Sequence, residues 1–200
     1  MTTNWTIQRL TSPSTLPVSV AQVKSHLNLN PDDSTHNDKL QDLIIAATER
    51  LEQDIDRQII TATYEQTQFE WNEDDEQRGE LKLYKKAVTV IQSVKYYDSD
   101  GTLVTMPEAD YIFDAGRCSL FVSPGEDWPS VQDYNPNAIA VRFTAGYGAD
   151  ASCIPRLMKT AILLCVGKWF YDPAQEGSAL HSQEVAYERI VSNLSRSSYP

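Results

Sequence analysis

Cysteine and basic residues are both scarce in this chain of 200 residues. The three cysteines are Cys118, Cys153 and Cys165; they lie far apart and form no C-x-x-C pair, so we expect reduced thiols in place of a disulfide framework. Lysine and arginine number 17 against 28 aspartates and glutamates, which gives a formal net charge of −11. A chain this acidic is repelled by nucleic acid and by anionic membrane surfaces, which argues against tight phosphate binding.

Long apolar runs are missing as well. The longest is AILLCV at residues 161–166, far short of the roughly 20 residues that cross a bilayer. The first residues lack a basic region followed by an apolar stretch, so we expect no secretion signal and no membrane partner. With 41% hydrophobic residues the chain has enough apolar material for a core. It suits one domain, or one domain that carries an inserted subdomain.

Helical periodicity near the start of the chain predicts two helices. Ser19 is a suitable N-cap for a short helix over 19–27. The segment 36–56 has apolar residues at positions i, i+3, i+4 and i+7, the spacing of an amphipathic helix. Thr35 and Asp38 have the spacing of a capping box at its start.

Helical periodicity returns near the end. Pro155 is well placed at the first position of a helix over 155–171 that is apolar around most of its circumference, as in a helix buried on several sides. A final helix is predicted over 178–194, with weaker apolar markers. We expect residues 1–18 to form an extended arm and residues 195–200 a flexible tail.

Between the helical segments the period changes to that of strands. Residues 61–71 favour strand, 72–80 read as an acidic loop, and Asp98 to Gly101 supply the turn of a hairpin. In AIAVRFT the large apolar residues Ile139, Val141 and Phe143 alternate with smaller or polar ones, as in a half-buried antiparallel strand.

These patterns predict an α+β fold. Residues 19–60 and 150–194 form a helical core, and residues 61–149 form an inserted antiparallel, β-rich subdomain.

A glycine motif before the third helix invites an enzymatic interpretation. Residues 146–151 match G-x-G-x-x-A, which in dinucleotide-binding folds lies inside a β-α-β unit. Here no strand pattern follows the helix, and Pro155 puts the helix start beyond the loop, where it cannot cradle a phosphate. We therefore interpret Gly146, Tyr147 and Gly148 as a strand-to-helix turn whose glycines allow positive φ. A nucleotide-binding enzyme that uses this loop is the alternative.

Other catalytic or metal-binding patterns are weak. Asp98 to Gly101 resembles the opening of a calcium loop, but the third acidic position and the distal glutamate are absent. The histidines His26, His36 and His181 lie on separate segments, and no H-E-x-x-H or G-x-S-x-G motif occurs. We expect no catalytic residue, no cofactor and no metal site.

Four segments, taken in order, resemble a known family: LPVSVAQVKSHLNL, DLIIAATERLEQDIDRQI, SVKYYDSDG and VRFTAGYGADASCIPRLMKTAILLCVGKWFYD. Together they are similar to the head–tail connector (adaptor) proteins of tailed bacteriophages, of the larger type with a β-rich insert. The resemblance covers residues 16–172 and rests on the order of hydrophobic patterns, since no catalytic signature is involved.

The resemblance implies a structural protein of the virion, made in the host cytoplasm. About twelve copies would form a ring under the portal protein, extend the DNA channel and dock a stopper or tail-completion protein. Genomic DNA would pass through without sequence-specific binding. The alternative within this class is another assembly protein, such as the stopper itself.

A ring of this kind needs two different contact faces on each copy. The amphipathic second helix, the apolar third helix and the plentiful aromatic residues are the candidates for those faces. The residues expected at subunit or partner interfaces are Leu40, Ile44, Leu51, Ile55, Trp128, Trp169, Phe170 and Tyr199.

Overall fold

The computed structural model describes residues 5–71, 79–172 and 181–196. It has the predicted α+β fold, with four described helices and antiparallel sheets. The chain divides into two compact units. The β unit comprises Met1–Ser12 and Thr61–Gly146, and the helical unit comprises Pro13–Ile60 and Tyr147–Pro200.

The described strands of the β unit form two sheets. In chain order they are β1 (Trp5–Arg9), β2 (Ala62–Gln68), β3 (Glu80–Lys82), β4 (Val88–Tyr97), β5 (Leu103–Thr105), β6 (Tyr111–Asp114), β7 (Ser119–Val122) and β8 (Ile139–Ala145). The larger sheet has the order β1-β2-β8-β4-β5 and the smaller sheet β3-β7-β6. Every pairing is antiparallel.

Alternation along β8 builds the core of the β unit. Ile139, Val141 and Phe143 are buried, as the sequence pattern predicts, while the residues between them are more exposed. Leu81 from β3 and Leu120 from β7 belong to the same apolar cluster, so residues of both sheets share one core. The hairpin turn is also as predicted, since the N–H of Gly101 donates to the carbonyl oxygen of Asp98 at 2.9 Å.

The first residues depart from the prediction of an extended arm. Trp5–Arg9 form β1, an edge strand that pairs with β2 from Trp5 opposite Gln68 to Arg9 opposite Tyr64. The Trp5 ring stacks on that of Tyr84, with the ring centroids 4.1 Å apart. The strand is polar on its exposed side and short, so the sequence offers little periodicity from which to predict it.

The helical unit contains the four helices that periodicity predicts. They are α1 (Val20–His26), α2 (Asn37–Ile55), α3 (Arg156–Tyr171) and α4 (His181–Arg196). The predicted start of the last helix, residues 178–180, lies outside the described residues. Its end is later than predicted, because residues 195–196 continue the helix in place of a tail.

The helix starts show which capping predictions are right. Ser19 caps α1 and forms a capping box with Gln22. The capping box predicted for Thr35 and Asp38 is wrong: α2 begins after His36, and the Thr35 hydroxyl donates to the carboxylate of Asp33. Thr35 thus closes the preceding turn and leaves the helix start uncapped by a side chain.

Apolar stripes from all four helices meet in the core of the helical unit. The buried members include Val23 on α1, Ile44 on α2, Ile162 on α3, and Tyr187 and Leu194 on α4. None of the described helices is both long and apolar enough to cross a membrane.

Candidate interaction surfaces and the turn before α3

Four apolar residues of α2 were expected at a subunit interface, and the structure corrects this. Leu40, Ile44 and Leu51 are 0% exposed and Ile55 is 1% exposed, all within the core of the same chain. The remaining helices of the unit cover the stripe that the sequence left without a partner. These side chains therefore offer no surface to another copy.

The aromatic candidates are partly exposed and partly engaged within the chain. Trp128 stacks on Trp71 at a centroid distance of 4.4 Å in the β unit. Trp169 and Phe170 pack against the helical core, and the Lys39 ammonium lies 4.9 Å from the centroid of the Phe170 ring. Their part in an interface stays a prediction, and Tyr199 lies outside the described residues.

The turn between β8 and α3 depends on its two glycines. Gly146 and Gly148 have φ of 132° and 157°, a region that L side chains rarely adopt. A Cβ on Gly148 would lie 2.3 Å from the Cβ of Cys153. The N–H of Tyr147 donates to the carbonyl oxygen of Ile59 at 3.0 Å, so the turn is fixed on the segment that leaves α2.

This geometry is not that of a dinucleotide-binding loop. β8 is central in an antiparallel sheet, and α3 begins at Arg156, after the cap residue Pro155 and well beyond Gly148. Pro155 is thus the N-cap, one position before the place predicted for it. Where the structure describes the chain after α3, it continues to another helix and no parallel strand returns.

A shallow concavity of about 800 Å³ lies at the start of α3. Apolar side chains line it, with the exposed Arg156 guanidinium among them. Nearby, the Asp150 carboxylate accepts hydrogen bonds from the hydroxyl and the N–H of Ser152, which lower the pKa of Asp150. The lining residues are Ser152, Cys153, Ile154, Pro155, Arg156, Leu157 and Thr160.

A half-buried ionic network, which the sequence did not reveal, attaches α4 to α2 and α3. The Glu184 carboxylate accepts from Lys168 Nζ at 2.8 Å and from Arg50 Nη2 at 2.7 Å. The hydrogen bond from Lys168, with that from Arg50, lowers the pKa of Glu184. One carboxylate on α4 thereby forms an ion pair with a cation on each neighbouring helix.

The same region holds two buried neutral groups. The Tyr187 hydroxyl donates to the Asp54 carboxylate at 2.7 Å, and burial together with this bond raises the pKa of Tyr187. Burial also raises the pKa of Cys165 to about 11, so its thiol stays protonated at neutral pH. These groups connect helices and show no arrangement for nucleophilic attack.

A second buried polar cluster fixes the exit from α2. Glu52 Oε1 accepts from Gln58 Nε2 at 2.7 Å and from the N–H of Ile59 at 2.9 Å. Gln58 also donates to the carbonyl oxygen of Ile60 at 2.9 Å, and Asp56 has a left-handed φ of 52°. The network satisfies backbone groups where helical bonding stops.

Metal ligands are not assembled anywhere in the part of the chain that the structure describes. No group of three or more His, Cys, Asp or Glu side chains is placed to hold an ion there. In the segment that resembles a calcium loop, Asp98 Oδ1 accepts from the N–H groups of Asp100 and Thr102 at 3.0 and 2.8 Å, as in a hairpin turn.

The fold is similar to that of chains from a virion neck. A chain in the neck of an empty gene transfer agent (GTA) particle, with C6 symmetry, gives a TM-score of 0.73 at 19% identity, covering 92% of this chain and 94% of that one. A chain in the virion of the native particle gives 0.73 at 18% identity, with coverages of 92% and 93%. A chain in the native neck with C12 symmetry gives 0.71 at 19%, with coverages of 92% and 94%.

No protein-family model and no curated protein matches the sequence. At these identities the structural likeness establishes the fold, which spans nearly the whole of both chains.

Proposed function

We propose that this chain is a structural head–tail connector (adaptor) in the neck of a tailed, phage-like particle. The observation that carries the proposal is the shared fold over more than nine-tenths of this chain and of chains from a particle neck. Those necks have C6 and C12 symmetry. A subunit of about the same extent and fold suits a ring built of many identical copies.

In this proposal about twelve copies form a ring beneath the portal protein. The ring extends the DNA channel and offers its far side to a stopper or tail-completion protein. The net charge of −11 favours passage of genomic DNA over retention, because a chain with 28 acidic and 17 basic residues repels the phosphates overall. The work of the protein is to bind neighbours, without catalysis or a cofactor.

The direct test compares particles assembled with and without this chain, imaged at the capsid vertex. We expect filled heads that lack tails when the chain is absent, and a ring below the portal when it is restored. Head–tail joining that proceeds normally without the chain would contradict the proposal.

A second test addresses the enzymatic alternative. Because a ligand that binds the native state raises the melting temperature, thermal melting with NAD, ATP and GTP detects nucleotide binding. We expect no rise with any of them. A rise that Gly148→Ala abolishes, while the variant stays folded, would favour the nucleotide-binding alternative.

A further inference from the structure

The outer side of α2 carries a line of acidic residues around one apolar side chain. Asp38, Asp42, Ile45 and Glu49 are spaced at i, i+4, i+7 and i+11, which puts them in one row along the helix. All four are exposed, and Ile45, at 42%, is one of seven exposed large hydrophobic side chains among the described residues. We call this row the acidic stripe.

The acidic stripe is not neutralised within the chain. Its three carboxylates form no ion pair with another described residue. The nearest lysine in sequence, Lys39, lies against the ring of Phe170. An exposed isoleucine surrounded by uncompensated carboxylates has the form of a small apolar anchor with a charged rim.

The start of α3 carries positive charge, opposite to that of the acidic stripe. Arg156 and Lys159 supply positive charge beside the concavity, which Ile154, Pro155 and Leu157 line with apolar surface. Where the structure describes possible partners, neither cation forms an ion pair. Lys159 only influences the carboxylate of Asp150 through space. We call this region the basic concavity.

Within one copy no ion pair joins the described residues of the two surfaces. α2 and α3 pack through their buried sides, represented by Ile44 and Ile162, whereas the acidic stripe and the basic concavity are on the exposed sides. Two copies that each carry a charge of −11 repel one another unless opposite charges meet locally. The basic concavity provides such a place, and the acidic stripe provides its complement.

Resting on the connector function proposed above, we propose that neighbouring copies of this chain bind through the acidic stripe of one and the basic concavity of the next. Ile45 enters the concavity, and the carboxylates of Asp42 and its neighbours face Arg156 and Lys159. The two surfaces differ, so each copy keeps one of each available. Such a head-to-tail contact repeats until the ring closes.

A charge exchange tests the pairing. Asp42→Lys and Arg156→Glu each place like charges in contact, and we expect each to weaken association of copies by about tenfold or more. The double variant restores opposite charges and is expected to associate nearly as the parent does. Analytical ultracentrifugation of concentrated protein measures the association. Singles that associate normally, or a double no better than the singles, would overturn the proposal.

The control is Asp133→Lys. Asp133 is an exposed residue of the β unit, outside both surfaces, and its substitution changes the net charge by the same amount as Asp42→Lys. We expect it to leave association close to that of the parent. An equal loss in this control would show that net charge alone governs association, and the proposed contact would be refuted.

Cross-linking tests the geometry independently of charge. One protein carries Ile45→Cys and another Thr160→Cys, both with Cys118→Ser and Cys153→Ser so that the partly exposed Cys118 and the exposed Cys153 do not react. With a short bismaleimide, we expect linked dimers in the mixture and none in either protein alone. Links between two copies of the Ile45→Cys protein would indicate a symmetric contact and overturn the proposal, as would a mixture without links.

The connector function and the contact between copies can be tested separately. Imaging of the neck reports the connector function, whereas the charge exchange and the cross-link report the contact. A ring in the neck without the link between positions 45 and 160 overturns the contact and leaves the connector function intact. The link in a chain that never enters a neck supports the contact and contradicts the connector function.

Discussion

At position 148 the structure leaves no space for a side chain, even for the single methyl group of alanine. Gly148→Ala adds a Cβ 2.3 Å from that of Cys153 at a φ of 157°. Because the obstacle is itself a Cβ close to the backbone, it cannot rotate away. We expect a loss of about 3 kcal/mol in the free energy of unfolding, measured by urea denaturation.

Gly125→Ala separates backbone strain from crowding. Gly125 also has a positive φ, 92°, but a Cβ there would meet nothing within 4 Å. Its substitution should cost about 1 kcal/mol, the backbone component alone. If both variants lose the same amount, contact with Cys153 contributes nothing at Gly148.

Glu184 makes the stability of the helical unit depend on pH. Its pKa in the folded chain lies below the ordinary 4.5 because Lys168 and then Arg50 donate to its carboxylate. The folded state binds this proton less readily than the unfolded chain. The stabilisation is therefore present above the ordinary pKa and is lost as the pH falls through the lowered value.

Glu184→Gln tests this dependence. We expect the variant to be less stable than the parent at pH 7 and the difference to shrink below about pH 4.5. Glu188→Gln, at an exposed position of the same helix, is the control and should follow the parent at every pH. Melting temperatures recorded from pH 3 to pH 7 measure both. A gap that stays constant down to pH 3 would contradict the role of Glu184.

At the scale of single elements, the cap of α1 is open to a simple test. Ser19→Ala removes the side chain that accepts from the N–H of Gln22, and the capping box is lost. We expect the free energy of unfolding to fall by about 1 kcal/mol. Ser25→Ala on the same helix removes an exposed hydroxyl without a capping role, and should change stability little. Equal effects in thermal melts would argue against the cap.

The elements that the sequence predicts well are those whose burial follows a single period. α2 buries apolar residues at helical spacing and β8 alternates cleanly, because each presents one side to a core. α3 is apolar around most of its circumference because it packs against α1, α2 and α4. β1 was missed because an edge strand is held by backbone hydrogen bonds to β2 and by the Trp5 stack, and neither leaves a periodic pattern. The Glu52 cluster was missed because it depends on how the chain turns after α2.

The interaction surface of α2 also shows what sequence periodicity cannot predict. Sequence periodicity identifies the apolar stripe of α2 but does not show what covers it, and the cover is the chain itself. The interface that we propose uses the opposite side of that helix, where Ile45 breaks an otherwise polar pattern. Its complement at Arg156 becomes visible only when the start of α3 is seen to be open.

At the scale of the whole molecule, the charge of −11 predicts weak contact with DNA. Binding that neutralises few phosphates gains little from counterion release. We expect no mobility shift of duplex DNA at about 0.15 M salt. Retardation that weakens steeply as salt is raised would contradict this prediction, because it would show that cations of the chain bind the phosphates despite its net charge.

The order of residues in the two units bears on how the protein is made. β1 pairs with β2, and β2 pairs in turn with β8, which comes late in the chain. The apolar sides of α1 and α2 are buried mainly once α3 has been synthesised. A nascent polypeptide released before position 139 therefore completes neither core. Neither unit can fold fully until the ribosome has translated the last third of the coding sequence. We therefore expect copies terminated before position 139 to stay unfolded and open to proteolysis.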